Sequence, residues 1–473
     1  MAIYRLQSAY LPQGWNRDVL VTVSTEGIIT AIDASAGTEP QRIPGTAIER
    51  VDGIVIPGMP NAHSHAFQRA MAGNAEYRSS ARDSFWTWRQ AMYALANRIA
   101  PEELQVVATQ LFIEMLKAGY TSVAEFHYLH RPSSGVQYAG ENLLWEAIGN
   151  AAALAGIGLT FLPTLYQSSD FGGAPLKPEQ ARFALETDVF LRAIEDRVGA
   201  ERRGGVGSGA GGGGVRTGAA FHSLRAVPLD QLRQAALALR AIDSSMPVHI
   251  HVAEQSLEVR ACERATGRRP IELLLDQALL TQHWCVVHAT HATAEELRGI
   301  AAANATVCVS ISTEANLGDG FFDTARFFES NGRLCIGSDS QSTVNPAEEL
   351  RWLEYQQRLR KKRRVVLATK GESHVGTRLW RDAAQSGAQA IGQPVGTIAV
   401  GRRADWLVLE ASHPAMAGTA ADAALDRLLF AGADKSIRDV MVGGRWVVKD
   451  RRHGADDKMR ESFARIMNGL AAG

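Results

Sequence analysis

Short apolar runs alternate with longer amphipathic segments from about residue 54 to about residue 390, and this alternation limits the possible folds more than any other feature. The amphipathic segments include Pro101–Leu111 and Leu229–Leu239, whose apolar residues recur at helical spacing. Eight strand–helix units of this kind predict an α/β fold, a parallel TIM-like (β/α)8 barrel. A doubly wound open sheet is the alternative. The eight apolar runs are Ile54–Ile56, Ser122–Phe126, Leu159–Leu162, Gly218–Phe221, Val248–His251, Cys285–His288, Thr306–Val309 and Leu334–Gly337.

Both ends of the chain are β-rich and predict a smaller unit beside the barrel. Residues 1–53 alternate short apolar runs with turn residues, and residues 391–473 contain the apolar runs Asp405–Leu409 and Val440–Val448. We therefore expect the two ends to pair into one small β-sandwich that flanks a barrel of residues 54–390. A tail helix is expected after the last strand.

The composition excludes several classes of function. The 473-residue chain has 50 Lys and Arg residues against 50 Asp and Glu residues, so its formal net charge is zero. This balance argues against a global nucleic-acid or membrane-surface role. The start of the chain, Met1–Leu6, lacks the charged and apolar regions of a signal peptide, and no apolar run approaches membrane-spanning length. The sequence therefore predicts a cytoplasmic protein.

The cysteines stand singly along the chain, at Cys262, Cys285, Cys308 and Cys335. None belongs to a Cys-x-x-Cys pair, so their spacing suggests neither a disulfide framework nor a cysteine zinc site. We expect reduced and buried thiols.

Two tracts of unusual composition need an interpretation. The glycine-rich tract 204–214 lacks the Lys-Ser/Thr ending of a phosphate loop and precedes a strand, so it is interpreted as a flexible surface loop. The basic run Arg358–Arg364 is interpreted as the solvated face or end of a helix, with a nucleic-acid patch as the alternative.

Two histidines, His63 and His65, follow the first apolar run in the segment Pro57–Phe67. Side chains at positions i and i+2 of a strand point to the same face, so both imidazoles would project together from the strand end. Neutral imidazoles are common zinc ligands. The pattern by itself leaves two polar loop histidines as the alternative.

Polar side chains also follow later strands, at the edge where barrel enzymes carry their sites. A single histidine there could be hydrogen-bonded packing. Several in register are harder to explain, because charged groups at buried strand ends are costly unless they are paired or bind a metal. These residues are His222 and Arg225 after the fourth run, His249, His251 and Glu254 at the fifth, His288 at the sixth and Asp339 after the eighth.

With these residues the chain resembles the amidohydrolase superfamily over nearly its whole length, including the tail segment Val395–Leu409. The fourth run lacks the lysine of the two-metal members, whereas His251 and Glu254 form the His-x-x-Glu pattern of the one-metal deaminases. The resemblance therefore implies one Zn²⁺ per subunit, with Fe²⁺ as the alternative. The implied metal ligands are His63, His65, His251 and Asp339.

The resemblance also implies roles for the residues beside the metal. Zinc lowers the pKa of a bound water to roughly 7, so water can act as a nucleophile at neutral pH. Asp339 would accept a proton from this water, and Glu254 would protonate the imine nitrogen and later the leaving amine. His288 would orient the water and stabilise the tetrahedral centre. His249 is expected deeper in the barrel, as support.

Within the superfamily the chain is similar to a deiminase branch of histidine degradation, which acts on N-formimino-L-glutamate and releases N-formyl-L-glutamate and ammonia. The resemblance implies that Arg89 and Arg225 bind the two carboxylates of this substrate, because the guanidinium fork pairs with a carboxylate bidentately. Gln68, Tyr128 and His222 would hydrogen-bond its other polar atoms. The matching segments are Pro57–Gly73, Phe85–Arg89, Glu125–His130, His222–Val227 and Thr313–Gly320.

Two other functions stay open at this point. The first is another deaminase or chlorohydrolase of the same superfamily that acts on a heterocycle, although a purine site would use aromatic stacking and amide donors rather than two arginines. The second is a non-catalytic barrel scaffold. A homodimer is expected from the resemblance alone.

Overall fold

The computed structural model describes residues 1–35, 47–77, 83–132, 143–203 and 214–471, whose strands form two sheets. The strands before the barrel are β1 (Ala2–Leu11), β2 (Gly14–Val23), β3 (Ile29–Asp33) and β4 (Ile48–Pro57). The barrel strands are β5 (Met59–Ser64), β6 (Tyr120–His127), β7 (Gly158–Leu165), β8 (Val215–Thr217), β9 (Ala219–Phe221), β10 (Val248–Val252), β11 (Trp284–His288), β12 (Thr306–Val309) and β13 (Arg333–Ile336). The strands after the barrel are β14 (Trp406–Leu409), β15 (Ile437–Val442), β16 (Arg445–Lys449) and β17 (Arg452–His453).

The helices confirm the amphipathic segments of the sequence, because Pro101–Leu111 lies in α2 and Leu229–Leu239 lies in α5. They are α1 (Phe85–Ala96), α2 (Pro101–Ala118), α3 (Leu143–Ala155), α4 (Thr187–Arg202), α5 (Leu229–Ile242), α6 (Ser256–Thr266), α7 (Pro270–Asp276), α8 (Ala294–Ala302), α9 (Ile311–Leu317), α10 (Thr324–Glu329), α11 (Pro346–Lys361), α12 (Val375–Ile391), α13 (Ala424–Phe430) and α14 (Asp456–Ala471). Short 3-10 helices lie at Ala66–Met71, Pro178–Phe183, Ala421–Ala423 and Ala433–Ser436. Within the described ranges, no helix has both the length and the apolar character needed to cross a membrane.

The predicted parallel barrel is confirmed. Its strands follow the order β5-β6-β7-β9-β10-β11-β12-β13, and β8 pairs with β7 just before β9 begins. The backbone amides of Ser338 and Asp339 each donate to the carbonyl of His63 at 3.0 Å, and the amide of His65 donates to the carbonyl of Asp339 at 3.2 Å. These bonds join the last strand to the first at their carboxyl ends, so the sheet closes rather than staying open.

Gly337 makes this close approach possible. A Cβ atom at Gly337 would lie 2.7 Å from both the Cβ and the carbonyl oxygen of His63. Such contacts would push β13 away from β5. The smallest residue therefore stands where the barrel closes beside the first histidine of the His-x-His pair.

The two chain ends form a separate sheet in the order β17-β16-β15-β14-β4-β1-β2-β3, as predicted. One correction concerns Ile54–Ile56, which we expected to be the first barrel strand. These residues lie in β4 and pair with β1 and β14 of the flanking sheet, so that prediction is wrong. A buried apolar run has the same sequence signature in either sheet, and only Gly58 separates β4 from the true barrel strand β5.

The structure tests the interpretation of only one of the two tracts of unusual composition. The glycine-rich tract 204–214 lies outside the described residues except for Gly214. Helix α11 ends at Lys361, and the side chains of residues 361–364 are exposed. The interpretation of the basic run as a solvated helix end is therefore confirmed.

Candidate active site

The four predicted metal ligands converge at the carboxyl end of the barrel. The Nε2 atoms of His63 and His65 lie 3.4 Å and 3.3 Å from Oδ1 of Asp339. The Nε2 atom of His251 lies 3.0 Å from that of His63. The closed barrel therefore brings together side chains from the end of β5, from β10 and from the turn after β13.

Hydrogen bonds at the opposite ring nitrogens fix how two of these histidines face the centre. Nδ1 of His65 lies 2.8 Å from the carbonyl of Phe126, and Nδ1 of His251 lies 2.9 Å from the carbonyl of His222. A carbonyl only accepts, so each Nδ1 carries the proton and each Nε2 presents a lone pair. This backbone support is typical of metal-ligating histidines.

Electrostatics keep these imidazoles neutral. Burial lowers the pKa of His65 to about 3, with the charge of His63 adding to the effect, and burial also lowers the pKa of His63 and His251. Burial would raise the pKa of Asp339, but His63, His288 and His65 outweigh burial and lower it. Three neutral imidazoles and one ionised carboxylate form a donor set that fits a single divalent metal ion.

The backbone at the strand ends is unusual. Ala253, His288 and Asp339 adopt positive φ angles of 52°, 71° and 44°. Non-glycine residues rarely adopt this conformation, and it concentrates at functional sites. The bends aim the side chains of His288 and Asp339 at one another, with 3.8 Å between Nε2 and Oδ2.

Glu254 and His288 lie beside the four predicted metal ligands. Nε2 of His288 is 3.8 Å from Oε1 of Glu254, and its Nδ1 is 3.3 Å from Oε1 of Glu314. Burial raises the pKa of Glu254. Burial would lower the pKa of His288, but Glu254, Glu314 and Asp339 outweigh it and raise that pKa. A carboxyl group with a pKa of about 7 beside an ionised Asp339 can both donate and accept a proton near neutral pH.

Sequence reasoning assigned no role to two buried glutamates. Glu314 touches His288 as described, and Glu125 accepts hydrogen bonds from the amide of Ala66 at 2.6 Å and the hydroxyl of Ser64 at 2.8 Å. Glu125 therefore holds the loop that carries His65. For Glu125 the sequence did contain a signal, because this carboxylate stands inside an apolar run. A charge buried there needs partners, which indicates a role for the residue.

All of the predicted substrate-binding residues line one cavity over the metal centre. The same cavity is also lined by His65, His251, Glu254, His288 and Asp339, whereas His63 is fully buried. Nε2 of Gln68 donates to the hydroxyl of Tyr128 at 2.8 Å, and Oε1 of Gln68 has no partner among the described residues. The predicted substrate-binding residues that line it are Gln68, Arg89, Tyr128, His222 and Arg225.

Arg89 and Arg225 place two positive charges in this cavity. Their Cζ atoms lie 4.4 Å and 5.8 Å from the centroid of the same Trp86 ring. In the described part of the chain, no carboxylate lies within 4.0 Å of either guanidinium, and neither Nε atom has a hydrogen-bond partner. Burial lowers the pKa of Arg89, and the charge of Arg225 lowers it further. An anionic ligand would offset both the free-energy cost of burying the two positive charges and the repulsion between them.

This fold and this donor set define a metal-dependent hydrolase, and the chain belongs to the amidohydrolase family, whose sequence profile matches residues 54–447. More specifically, it is 46% identical over 464 residues to the formimidoylglutamate deiminase of Pseudomonas aeruginosa, with 98% of each chain covered. A crystal structure of an amidohydrolase from Brucella melitensis has a TM-score of 0.89 and 38% identity, with 100% of both chains covered. A zinc-bound adenosine deaminase from Xanthomonas campestris has a TM-score of 0.79 at 19% identity and covers 100% of this chain and 99% of its own, which is a likeness of fold.

Proposed function

We propose that this protein hydrolyses N-formimino-L-glutamate to N-formyl-L-glutamate and ammonia, as a cytoplasmic step of histidine degradation. The observation that carries the proposal is the pair of guanidinium groups, Arg89 and Arg225, that face the metal-site cavity without a carboxylate partner among the described residues. Two carboxylates on the substrate would give each arginine a partner. The name of the Pseudomonas aeruginosa relative supports the same substrate.

Gln68, Tyr128 and His222 are proposed to hold the remaining polar atoms of the substrate. The unpartnered Oε1 of Gln68 can accept a hydrogen bond from a substrate N–H group. Burial keeps the pKa of His222 well below its ordinary value, with the charge of Arg225 adding to the effect, so a neutral imidazole is available there. The cavity would thus orient the formimino group toward the metal ligands.

Zn²⁺ is the proposed metal, held by His63, His65, His251 and Asp339, with Fe²⁺ as the alternative. The zinc-bound fold relative from Xanthomonas campestris supports this choice. When bound, the metal supplies the Lewis acidity that lowers the pKa of a water molecule and polarises the site. Elemental analysis of protein purified without chelators distinguishes the two ions.

The protein side chains would move the protons of the reaction. As the water oxygen bonds to the formimino carbon, Asp339 accepts the water proton and Glu254 protonates the imine nitrogen. The tetrahedral centre lies beside His288, whose Nε2–H stabilises the developing charge on oxygen. Glu254 then takes the remaining hydroxyl proton and delivers it to the same nitrogen, so ammonia leaves as the formyl C=O bond forms, and Asp339 returns its proton to Glu254.

A steady-state ammonia assay with a panel of substrates tests this proposal. We expect kcat/KM for N-formimino-L-glutamate to exceed that for adenosine and 8-oxoguanine by at least about 10⁴-fold, because buried arginines left unpaired reject neutral heterocycles. N-formimino-L-aspartate measures the chain-length selectivity. Preferred turnover of a heterocycle would favour another deaminase or chlorohydrolase, and a metal-free protein without turnover would favour the scaffold.

The proposed partner is the small dicarboxylate substrate, with no role for nucleic acid or a membrane. The homodimer stays a prediction. Light scattering of the purified protein checks it, since a dimer has twice the mass of one chain and a monomer would contradict it.

A further inference from the structure

Three cysteines that are distant in the sequence meet inside the barrel. Cys308 on β12 lies opposite Cys335 on β13, and it also lies opposite Val287 on β11. Cys285 precedes Val287 by two positions on β11 and therefore shares its face. The Sγ atoms of the three cysteines lie within 4.8 Å of one another, and all three residues are fully buried.

A histidine faces the same cluster. His249 on β10 lies opposite Cys285 in the strand register. Residues that lie opposite one another in a sheet share a face, as do residues two apart along a strand. His251 is two positions after His249 and faces the active site, so His249 and Cys285 face the barrel interior two residues earlier on their strands, and Cys285 is clustered there with Cys308 and Cys335. The predicted supporting position of His249 is therefore where the structure places it.

The ring of His249 is oriented as a ligand. Its Nε2 lies 2.8 Å from the carbonyl of Ala390, so Nε2 carries the proton and Nδ1 presents a lone pair. Nδ1 is buried and has no well-formed hydrogen bond within the described residues, while the ring interacts with the Cys285 thiol. Metal-ligating histidines use this arrangement, in which the second ring nitrogen donates to a backbone carbonyl.

We propose that His249, Cys285, Cys308 and Cys335 bind a second Zn²⁺ ion at a structural site inside the barrel. Three thiolates and one imidazole form a common tetrahedral zinc set. His249 would complete that set beside the three clustered thiolates, and none of the four residues lines the substrate cavity, so the site would take neither water nor substrate. The ion would tie β10, β11, β12 and β13 together below the catalytic centre.

The three thiols differ in how readily they lose a proton, because burial raises the pKa of Cys308 and Cys335 well above its ordinary value whereas the pKa of Cys285 shifts the other way. Burial raises the pKa of the Cys285 thiol, but hydrogen bonds from Cys308 and Cys335 outweigh it and lower that pKa well below its ordinary value. The Cys335 thiol donates to the carbonyl of Val307 at 3.6 Å and would lose this proton to solvent when the metal binds. Ion binding releases the thiol protons without a change of oxidation state.

Cobalt substitution and metal counting test the proposal on the wild-type protein. The catalytic donor set contains only nitrogen and oxygen, so a thiolate-to-cobalt charge-transfer band in the near ultraviolet can come only from the cysteine site. We expect two metal ions per chain by mass spectrometry, and this band in protein grown with Co²⁺ in place of Zn²⁺. One metal ion per chain and no charge-transfer band would overturn the proposal and leave three packed thiols.

Two variants test whether the thiolate-to-cobalt charge-transfer band comes from the cysteine site. Cys308→Ser should remove the charge-transfer band and one metal ion while leaving the ion at the catalytic centre. Cys262→Ser is the matched control, because Cys262 is also fully buried but lies on α6 and contacts Thr266. A band that survives Cys308→Ser would contradict the assignment. If Cys308→Ser does not fold, the wild-type stoichiometry and spectrum still decide.

Discussion

The Nε2 atoms of His63 and His251 lie 3.0 Å apart. Because Nδ1 of His251 donates to a backbone carbonyl, its Nε2 approaches His63 with a lone pair. The facing Nε2 of His63 must therefore either carry a hydrogen or share a cation with His251, and burial lowers the pKa of both rings. The contact between the His63 and His251 rings, which the closed barrel produces, therefore fits a cation site.

Loss of one of these nitrogens should empty the metal site. We expect His251→Asn to lower metal affinity by more than about 10–100-fold, the range for losing only a supporting contact, and to abolish ammonia release. Metal analysis after dialysis against a chelator measures the effect. His283→Asn is the control, because His283 precedes β11 at the opposite end of the barrel. Full metal retention in His251→Asn would contradict the proposed ligand set.

Glu254→Gln should separate proton transfer from metal binding. The amide keeps the shape of the carboxyl group but cannot donate and recover a proton, so we expect kcat to fall by about 10²–10⁴-fold with the metal content unchanged. Ammonia release and metal analysis on the same sample measure both quantities. Glu263→Gln, on the exposed side of α6, should match the wild type. Unchanged turnover in Glu254→Gln would end the proton-transfer role.

Arg225→Met should weaken substrate binding without loss of metal. A lost charged hydrogen bond costs about 1.5–3 kcal/mol, so we expect kcat/KM for N-formimino-L-glutamate to fall by at least about tenfold, mainly through KM. Arg89→Met should act in the same direction. The exposed Arg233 on α5 offers the control substitution Arg233→Met. A kcat/KM equal to that of the wild type would refute the carboxylate clamp.

Glu349 predicts a pH dependence of stability. This glutamate is fully buried and accepts a hydrogen bond from the amide of Ser312 at 3.2 Å, and burial raises its pKa from 4.5 to about 8. Between these two values the folded state binds more protons than the unfolded state, so the free energy of unfolding contributed by this group falls as pH rises. Glu349→Gln should remove this decline.

Urea denaturation at several pH values between about 4.5 and 8 measures the effect. The wild type and Glu461→Gln, whose side chain is exposed on α14, should both lose stability toward the upper end of this window. Glu349→Gln should give a flatter profile. Parallel profiles for all three proteins would show that Glu349 ionises normally in the folded state.

Much of the fold and the composition of the candidate site could be predicted from the sequence. Local hydrophobic periodicity encodes strands and helices, and parallel barrels collect the ends of their strands at one edge. The His-x-His pair, His251, Glu254, His288 and Asp339 could therefore be expected to meet. Their catalytic roles stay predictions. The partners of Glu125 and Glu314 could not be predicted, because they are the end of β5 with the loop after it and a histidine of another strand.

The sequence by itself determined the alternation of strands and helices and the chemistry available at each strand end, because both are local properties of the chain. Only the tertiary structure decided that Ile54–Ile56 belongs to the flanking sheet, since an apolar run does not specify its partners. The tertiary structure also decided that Cys285, Cys308 and Cys335, which stand far apart in the sequence, form a cluster. Such side-chain contacts depend on strand register, and register depends on backbone pairing between residues that are far apart in the sequence.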